Sequence, residues 1–193
     1  MKYGITAPPM GKFQWRALEL TGICVAVFLL SQVFPDFFYS AFVLSRGTIL
    51  SMPWALITSM FMHSGFVHLY GNMFALAVFG SLFEKQAGSR NFLIVFFIGG
   101  IIAGLAGLAF YESLLGASGA IYALGGALLV LRPNQPTMML FIPVSIPLWI
   151  SVVAGFLLTF GSAGIAWQAH LGGIAFGVLA GFFFRLRERR QLF

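Results

Sequence analysis

Four polar side chains in this largely apolar chain are of the types that nucleophilic catalysis requires. Ser118 lies in the stretch LLGASGAIYALGG, where packing alone would favour alanine, and His170 lies in a second apolar stretch, AHLGGIAFG. A serine hydroxyl attacks a carbonyl group when a nearby base takes up its proton and donors stabilise the oxyanion that forms. His68 and Asn72 are four residues apart, hence on one helix face, and can supply such donors. These residues predict acyl-transfer chemistry with a serine nucleophile.

The residues around Ser118 favour the same chemistry. Gly116 and Gly119 leave the backbone beside the serine uncrowded. The free N–H groups at the start of a helix favour developing negative charge. We therefore expect the Ser118 backbone to join the donors of an oxyanion hole. Tyr122 lies one helical turn further along and is expected to stack against His170.

The composition places these residues in a membrane. Of 193 residues, 60% are hydrophobic and 8% are charged, whereas soluble domains have roughly 25% charged residues. Eleven basic and five acidic side chains cannot cover a soluble fold of this length, but a lipid-facing surface needs none. Cys24 is the single cysteine, so it forms no intrachain disulfide and is interpreted as a packing residue. One domain, residues 1–193, is expected.

Apolar segments predict an all-α fold, a bundle of six transmembrane helices. A bilayer-spanning helix needs about 20 residues. The predicted spans are 17–38, 66–83, 91–110, 116–131, 138–160 and 165–184. They form a core over 17–184, between a segment 1–16 and a basic tail 185–193. The fourth span is short, which predicts that Ser118 lies below the membrane surface.

Basic residues predict the orientation of the bundle, because lysine and arginine are retained on the cytoplasmic side. Those on one side of the predicted spans are Lys2, Lys12, Arg16, Lys85, Arg90, Arg132, Arg185, Arg187, Arg189 and Arg190. Arg46 alone falls on the other side. Both termini are therefore predicted to be cytoplasmic. The closing RLRERR is interpreted as an orientation signal and a contact for anionic lipid, not as a nucleic-acid site.

This orientation brings the polar residues to one depth. His68, Asn72, Ser118 and His170 all lie near the starts of spans that enter from outside, so they share the outer half of the membrane. Small residues then recur every four positions in spans four and six, a pattern that allows close helix contact. The two stripes consist of Gly119, Ala123 and Ala127, and of Ala169, Gly173, Gly177 and Gly181. We expect these spans to pack together with Ser118 near His170.

A carboxylate partner for His170 is not evident. Glu112, in the outer loop before span four, is the acidic residue that could still fold inward. The pattern therefore favours a Ser–His dyad.

Other functions remain open from the residues alone. A serine in GASGA is also typical of helix packing, and a histidine in a span can bond a backbone carbonyl. Buried histidines also suit a small transporter or proton path. A zinc site has weak support, because His63 and His68 lack an H-E-x-x-H pattern. No metal or cofactor is predicted.

The ordered motifs resemble those of the rhomboid intramembrane serine proteases. HLYGNM, FEKQAGS, GASGAIY and AHLGGIAFG follow one another on the predicted spans, and the resemblance extends from about Trp54 to Gly177. It implies Ser118 as the nucleophile and His170 as the general base.

The same resemblance implies roles for the surrounding residues. His68 and Asn72 belong to the oxyanion hole, Tyr122 stacks on His170, and His63 helps to hold water at the site. One position departs from the family's pattern. Trp54 is followed by Ala55 where the family usually has arginine, so the hydrogen bonding of the first outer loop is expected to differ.

The activity implied is an intramembrane serine endopeptidase. Its substrates would be single-pass or multi-pass membrane proteins, cut in their transmembrane segments near the outer boundary of the bilayer. The six-span form is similar to prokaryotic members, which points to a plasma membrane. The alternative is a non-catalytic rhomboid-like protein that binds membrane clients without cutting them.

Overall fold

A computed structural model describes residues 11–139, 142–162 and 164–190 of the chain. Lys2, one of the basic residues used to predict orientation, and the end of the predicted tail, 191–193, lie outside the described residues.

Helices dominate the structure. In chain order they are α1 (Arg16–Val33), α2 (Pro35–Phe42), α3 (Ala55–Thr58), α4 (Phe66–Ala75), α5 (Ser81–Ala87), α6 (Ser89–Leu108), α7 (Ser118–Leu131), α8 (Leu148–Thr159) and α9 (Trp167–Arg190). A 3₁₀ turn, Ser59–Phe61, follows α3. A π-helical segment, Leu76–Gly80, joins α4 and α5 into one apolar helix of 22 residues, Phe66–Ala87.

Two short antiparallel strand pairs accompany the helices. In the first pair, β1 (Leu44–Ser45) pairs with β2 (Ser113–Leu114). In the second pair, β3 (Pro136–Met139) pairs with β4 (Ile142–Pro147). Within the described residues, four helices are long and apolar enough to cross a bilayer: α1, the joined α4–α5 helix, α6 and α9. The shorter apolar helices are α7 and α8. The predicted helical membrane bundle is confirmed.

The boundaries of the first and fifth predicted spans are wrong, and proline explains both. The first span was expected to continue to residue 38, but α1 ends at Val33 and α2 begins at Pro35. A proline disfavours the helical conformation of the residue before it, which here is Phe34. The fifth span was expected at 138–160, but its first half forms a strand pair and α8 begins only after Pro147. Proline lacks the N–H that a helix interior uses, so α8 does not extend back through Pro147 and Pro143.

The last helix also extends beyond the predicted end of span six at residue 184. Helix α9 continues to Arg190, because arginine is a good helix former and its charge is favourable near a helix C-terminus.

Helix α7 occupies the centre of the bundle. It has 14 residues, and most of them are buried, whereas the neighbouring α6 has 20 residues and exposes several large apolar side chains. A helix buried on all sides is apolar all round. Because α7 is short and is surrounded by other helices, its first residue, Ser118, lies inside the protein body.

Glycines hold α7 and α9 in close contact. A β-carbon at Gly173 would lie 2.3 Å from the Gly119 carbonyl oxygen, one at Gly177 would lie 2.0 Å from that of Ala123, and one at Gly181 would lie 2.7 Å from that of Ala127. Helix carbonyls belong to the backbone and cannot rotate away as a side chain can. The packing of spans four and six that the small-residue stripes predict is therefore confirmed.

We expect Gly177→Ala to lower the free energy of unfolding by about 1–3 kcal/mol, because the added methyl group overpacks the helix contact. Gly22→Ala is the matched control, since a β-carbon there meets nothing within 4 Å. Both changes gain the same helix propensity, so their difference isolates the contact. Denaturant unfolding in detergent micelles measures it, and equal stabilities would contradict the interpretation.

The end of the bundle opposite Ser118 is tied by polar contacts. The buried Glu84 carboxylate accepts the backbone N–H groups of Arg16 at 2.9 Å and of Ala17 at 3.0 Å, in the first turn of α1. Arg132, after α7, forms a salt bridge with Glu188 in the last turn of α9. These contacts tie α1 to α5 and α7 to α9 at this end of the bundle.

Candidate active site

Ser118 and His170 lie in hydrogen-bond contact. Ser118 is the first residue of α7, and His170 is in the first turn of α9. The distance between Ser118 Oγ and His170 Nε2 is 2.8 Å, and the histidine is only 5% exposed. The glycine contacts between the two helices account for this proximity. In this arrangement the imidazole can accept the serine proton as the hydroxyl attacks a carbonyl.

The Tyr122 ring lies against the His170 imidazole. The ring centroids are 4.6 Å apart and the ring planes meet at 34°. Tyr122 is one turn after Ser118 on α7, so one helix carries both the hydroxyl and the surface against which the imidazole rests. This contact restricts rotation of the imidazole.

The second ring nitrogen of His170 contacts a residue that the sequence did not indicate. His170 Nδ1 lies 3.1 Å from Thr159 Oγ1. Thr159 is the last residue of α8, and its hydroxyl also donates to the Phe156 carbonyl at 2.8 Å. A single threonine at the end of an apolar segment has no distinguishing pattern, so only the approach of α8 to α9 reveals it.

Glu112 does not approach the histidine, and the possibility that it folds inward is wrong. Its carboxylate pairs with Arg46 at 3.0 Å, and its side chain is 81% exposed. Arg46 also donates to the carbonyls of Leu108 at 2.9 Å and Tyr111 at 3.2 Å. A surface carboxylate beside an arginine keeps its hydration, whereas moving it to the buried His170 would cost its desolvation.

Arg46 also helps to hold the first outer loop. This loop contains Ala55, at the position where the resemblance to the rhomboid proteases predicts arginine. Ala55 is fully buried at the start of α3. The neighbouring Trp54 Nε1 donates to the Ala41 carbonyl at 2.9 Å. The loop is thus held by Trp54 on one side and by Arg46 on the other, without a polar side chain at position 55.

His68 directs one ring nitrogen toward Ser64 and the other toward Gly116. The Ser64 backbone N–H donates to His68 Nδ1 at 3.4 Å. Ser64 Oγ also lies 3.1 Å from Nδ1. With the backbone N–H donating to Nδ1, a neutral imidazole has its proton on Nε2. A β-carbon at Gly116 would lie 2.8 Å from that Nε2 and 4.0 Å from Ser118 Oγ. The His68 N–H and the serine hydroxyl therefore border the same space.

Glycine is required at position 116 for a second reason. Its φ angle is +116°, a backbone conformation that residues with a β-carbon rarely adopt. Gly119, by contrast, is limited by packing, since a β-carbon there would lie 2.5 Å from that of Ala103 on α6. Gly116 thus lets the His68 ring approach Ser118, and Gly119 lets α6 approach it at Ala103.

Among the residues that the structure describes, two buried polar atoms next to His68 have no hydrogen-bond partner. The Asn72 amide donates to the His68 carbonyl at 2.8 Å, which leaves its Oδ1 unpaired. His63 is fully buried, with Nδ1 3.3 Å from the Phe61 carbonyl and Nε2 unpaired. The His63 and His68 rings are 5.1 Å apart. In the part of the chain that the structure describes, no group of three or more His, Cys, Asp or Glu residues could hold a metal ion.

A cavity of about 970 Å³ connects these groups. Residues of α4, α7, α8 and α9 line it. The polar side chains that line it include His68, Asn72, Ser118, Tyr122, Thr159 and His170. The structure thus places all six around one space, while His63 lies behind His68.

The sequence of this chain matches a family of known proteins over most of its length. The family model described as "Rhomboid domain" matches residues 50–187. The chain is 31% identical to "Rhomboid protein 1, mitochondrial" of Saccharomyces cerevisiae, covering 95% of this chain and 58% of that protein. It is 35% identical to "Putative rhomboid protease YdcA" of Bacillus subtilis, covering 72% of this chain and 70% of that protein.

A third relative extends the comparison. The chain is 27% identical to "Rhomboid protease GlpG" of Serratia proteamaculans, covering 86% of this chain and 61% of that protein. The chain therefore spans about three fifths of the length of the yeast and Serratia relatives.

Proposed function

This chain belongs to the rhomboid family of membrane proteins, and on that premise we propose that it is an intramembrane serine endopeptidase. Ser118 is the nucleophile and His170 is the general base of a dyad. The observation that carries the proposal is the 2.8 Å separation of Ser118 Oγ and His170 Nε2. The names of relatives from B. subtilis and S. proteamaculans, which include the word protease, support it.

The reaction proceeds through an acyl-enzyme. His170 Nε2 takes the hydroxyl proton as Ser118 Oγ attacks the substrate carbonyl, and a tetrahedral oxyanion forms. The peptide C–N bond then breaks, and His170 donates its proton to the leaving amine. Water then attacks the ester carbonyl while His170 accepts one of its protons. The bond from the carbonyl carbon to Ser118 Oγ breaks, His170 returns the proton to Oγ, and the carboxylic acid product leaves.

Three donors stabilise the oxyanion. The Ser118 N–H lies at the start of α7, where helix N–H groups have no intrahelical acceptor. His68 contributes its Nε2–H beside Gly116. Asn72 uses one amide hydrogen for the His68 carbonyl and has a second one available. Donors fixed before the reaction require no reorganisation when the negative charge develops.

Hydrolysis also requires water inside a protein surrounded by lipid. The buried His63 Nε2 and Asn72 Oδ1 have hydrogen-bonding capacity that no other described residue uses. A buried water typically makes about three hydrogen bonds to such groups. We assign His63 and Asn72 to holding water next to the dyad.

The site acts on transmembrane segments near the outer boundary of the bilayer. Basic residues lie at the ends of α7 and α9 farthest from Ser118 and His170. Such residues favour the cytoplasmic side, so we assign these helix ends and both termini of the chain to the cytoplasm. We assign the protein to a plasma membrane, with single-pass or multi-pass membrane proteins as substrates. A helical substrate must unwind locally, because its carbonyls are otherwise engaged in helix hydrogen bonds.

A fluorophosphonate serine probe tests the proposal. The purified protein should be labelled covalently, and Ser118→Ala should lose the label, because only an activated serine attacks the probe. The same preparations are incubated with a single-span substrate whose products are mapped by mass spectrometry. Cuts are expected near the outer end of the span.

Two results would overturn the proposal. Absence of labelling, together with stable binding of uncut substrate, would identify a non-catalytic client binder. Cuts at the cytoplasmic end of the substrate would contradict the orientation.

A further inference from the structure

The contact between Thr159 and His170 extends the hydrogen-bond chain beyond the dyad. We infer that Thr159 is a positioning residue that holds His170 in the tautomer needed for general-base catalysis. The inference rests on the function proposed for Ser118 and His170. It gives His170 a neutral hydroxyl partner in the place where many serine hydrolases use a carboxylate.

The direction of the hydrogen bonds follows from the donors and acceptors present. The Phe156 carbonyl can only accept, and it lies 2.8 Å from Thr159 Oγ1. The single hydroxyl proton of Thr159 is therefore engaged with Phe156, and the Tyr122 hydroxyl, which also hydrogen-bonds the Thr159 side chain, donates to a lone pair of Oγ1. A lone pair of Oγ1 then faces His170 Nδ1 at 3.1 Å. Nδ1 must donate, so the proton of the neutral ring is on Nδ1.

This tautomer leaves the lone pair of Nε2 free, and Nε2 is the nitrogen that lies 2.8 Å from Ser118 Oγ. The hydrogen bonds then run in one direction, from the Ser118 hydroxyl to His170, to Thr159, and to the Phe156 carbonyl. In the opposite tautomer Nε2 would carry the proton and could not accept another from Ser118. The hydrogen bond on one ring nitrogen thus decides what the other can do.

A hydroxyl suits this position better than a carboxylate would. His170 is buried, and Thr159 is half-buried at the end of α8. An ionised carboxylate inside a membrane protein is costly unless it is paired. A threonine that donates to a carbonyl of its own helix is neutral and has its hydroxyl proton satisfied. The stacking of Tyr122 on the ring supplies the remaining constraint on orientation.

Thr159→Val tests the inference because valine keeps the shape of the side chain and removes the hydroxyl. We expect kcat to fall about 3- to 10-fold, the rate equivalent of one neutral hydrogen bond, with KM unchanged. Thr159→Ser keeps the hydroxyl and should retain most of the rate. Thr21→Val is the matched control, since Thr21 also donates to a carbonyl of its own helix, at 3.0 Å, but lies on α1 away from the site.

The tautomer itself provides a readout that a purely structural role would not change. The chain has three histidines, so ¹⁵N NMR resonances of the rings can be assigned by single substitutions. At a pH where the ring is neutral, His170 should carry its proton on Nδ1, and Thr159→Val should increase the population protonated on Nε2.

A proton on Nε2 of His170 in the wild-type protein would overturn the inference. So would a Thr159→Val variant with unchanged kcat and unchanged tautomer. Failure of the proposed function is seen separately, as a wild-type protein that neither reacts with the fluorophosphonate probe nor cuts substrate. The NMR measurement of the wild-type protein does not require activity.

Discussion

Ser118→Ala should abolish cleavage of a single-span substrate, and His170→Ala should reduce it to the same level. In a soluble serine protease, loss of either group lowers kcat by about 10⁶-fold, and the 2.8 Å contact makes His170 the base within reach of the Ser118 hydroxyl. The measurement is kcat for a purified substrate reconstituted with each variant. The Ser118→Ala/His170→Ala double variant should be no slower than either single variant, because the pair acts as a unit.

Ser151→Ala is the control for this experiment. Ser151 is a buried serine on α8 that lines the same cavity, and its hydroxyl has no hydrogen-bond partner in the described part of the chain. It should therefore keep wild-type activity. Thermal unfolding of all variants shows whether they remain folded. Residual cleavage by Ser118→Ala would show that a different group attacks the substrate.

Removal of an oxyanion donor should produce the second largest effect. We expect His68→Ala and Asn72→Ala each to lower kcat by about 10²–10³-fold, the range found when one such donor is removed from a soluble serine protease. KM should change little, because these groups interact more strongly with the transition state than with bound substrate. Steady-state kinetics in one lipid composition provides both constants.

Asn91→Ala is a matched control for Asn72→Ala. Asn91 donates to the carbonyl four residues earlier at 2.7 Å, as Asn72 does at 2.8 Å, but lies at the far end of the bundle near the start of α6. If both asparagine variants lost equal activity, the effect would come from helix stability. A raised KM with unchanged kcat in His68→Ala would contradict its assignment as an oxyanion donor.

Much of the fold could be predicted because lipid restricts the choices. Every backbone group of a lipid-exposed segment must be satisfied internally, so long apolar runs become helices. The wrong boundaries fall where that rule competes with a local one. Pro35 ended the first helix early, and the region up to Pro147 formed strands although its side chains are as apolar as a span.

The site was predictable in its members because polar residues in an apolar chain are conspicuous. A serine or histidine within a membrane span requires an explanation, and the four-residue spacing of glycine and alanine indicated which helices would meet. The proximity of Ser118 and His170 followed from that packing. Their catalytic roles stay predictions until the substitutions above are measured.

By itself, the sequence determined the membrane environment, the helical fold and the pair of helices that carry Ser118 and His170. Only the tertiary structure decided that Glu112 pairs with Arg46 and that Thr159 meets His170 Nδ1. The physical reason lies in the range of the forces involved. Burial and helix packing act through periodic patterns that many residues share, whereas a hydrogen bond between two helices depends on their exact separation and rotation, which no short pattern encodes.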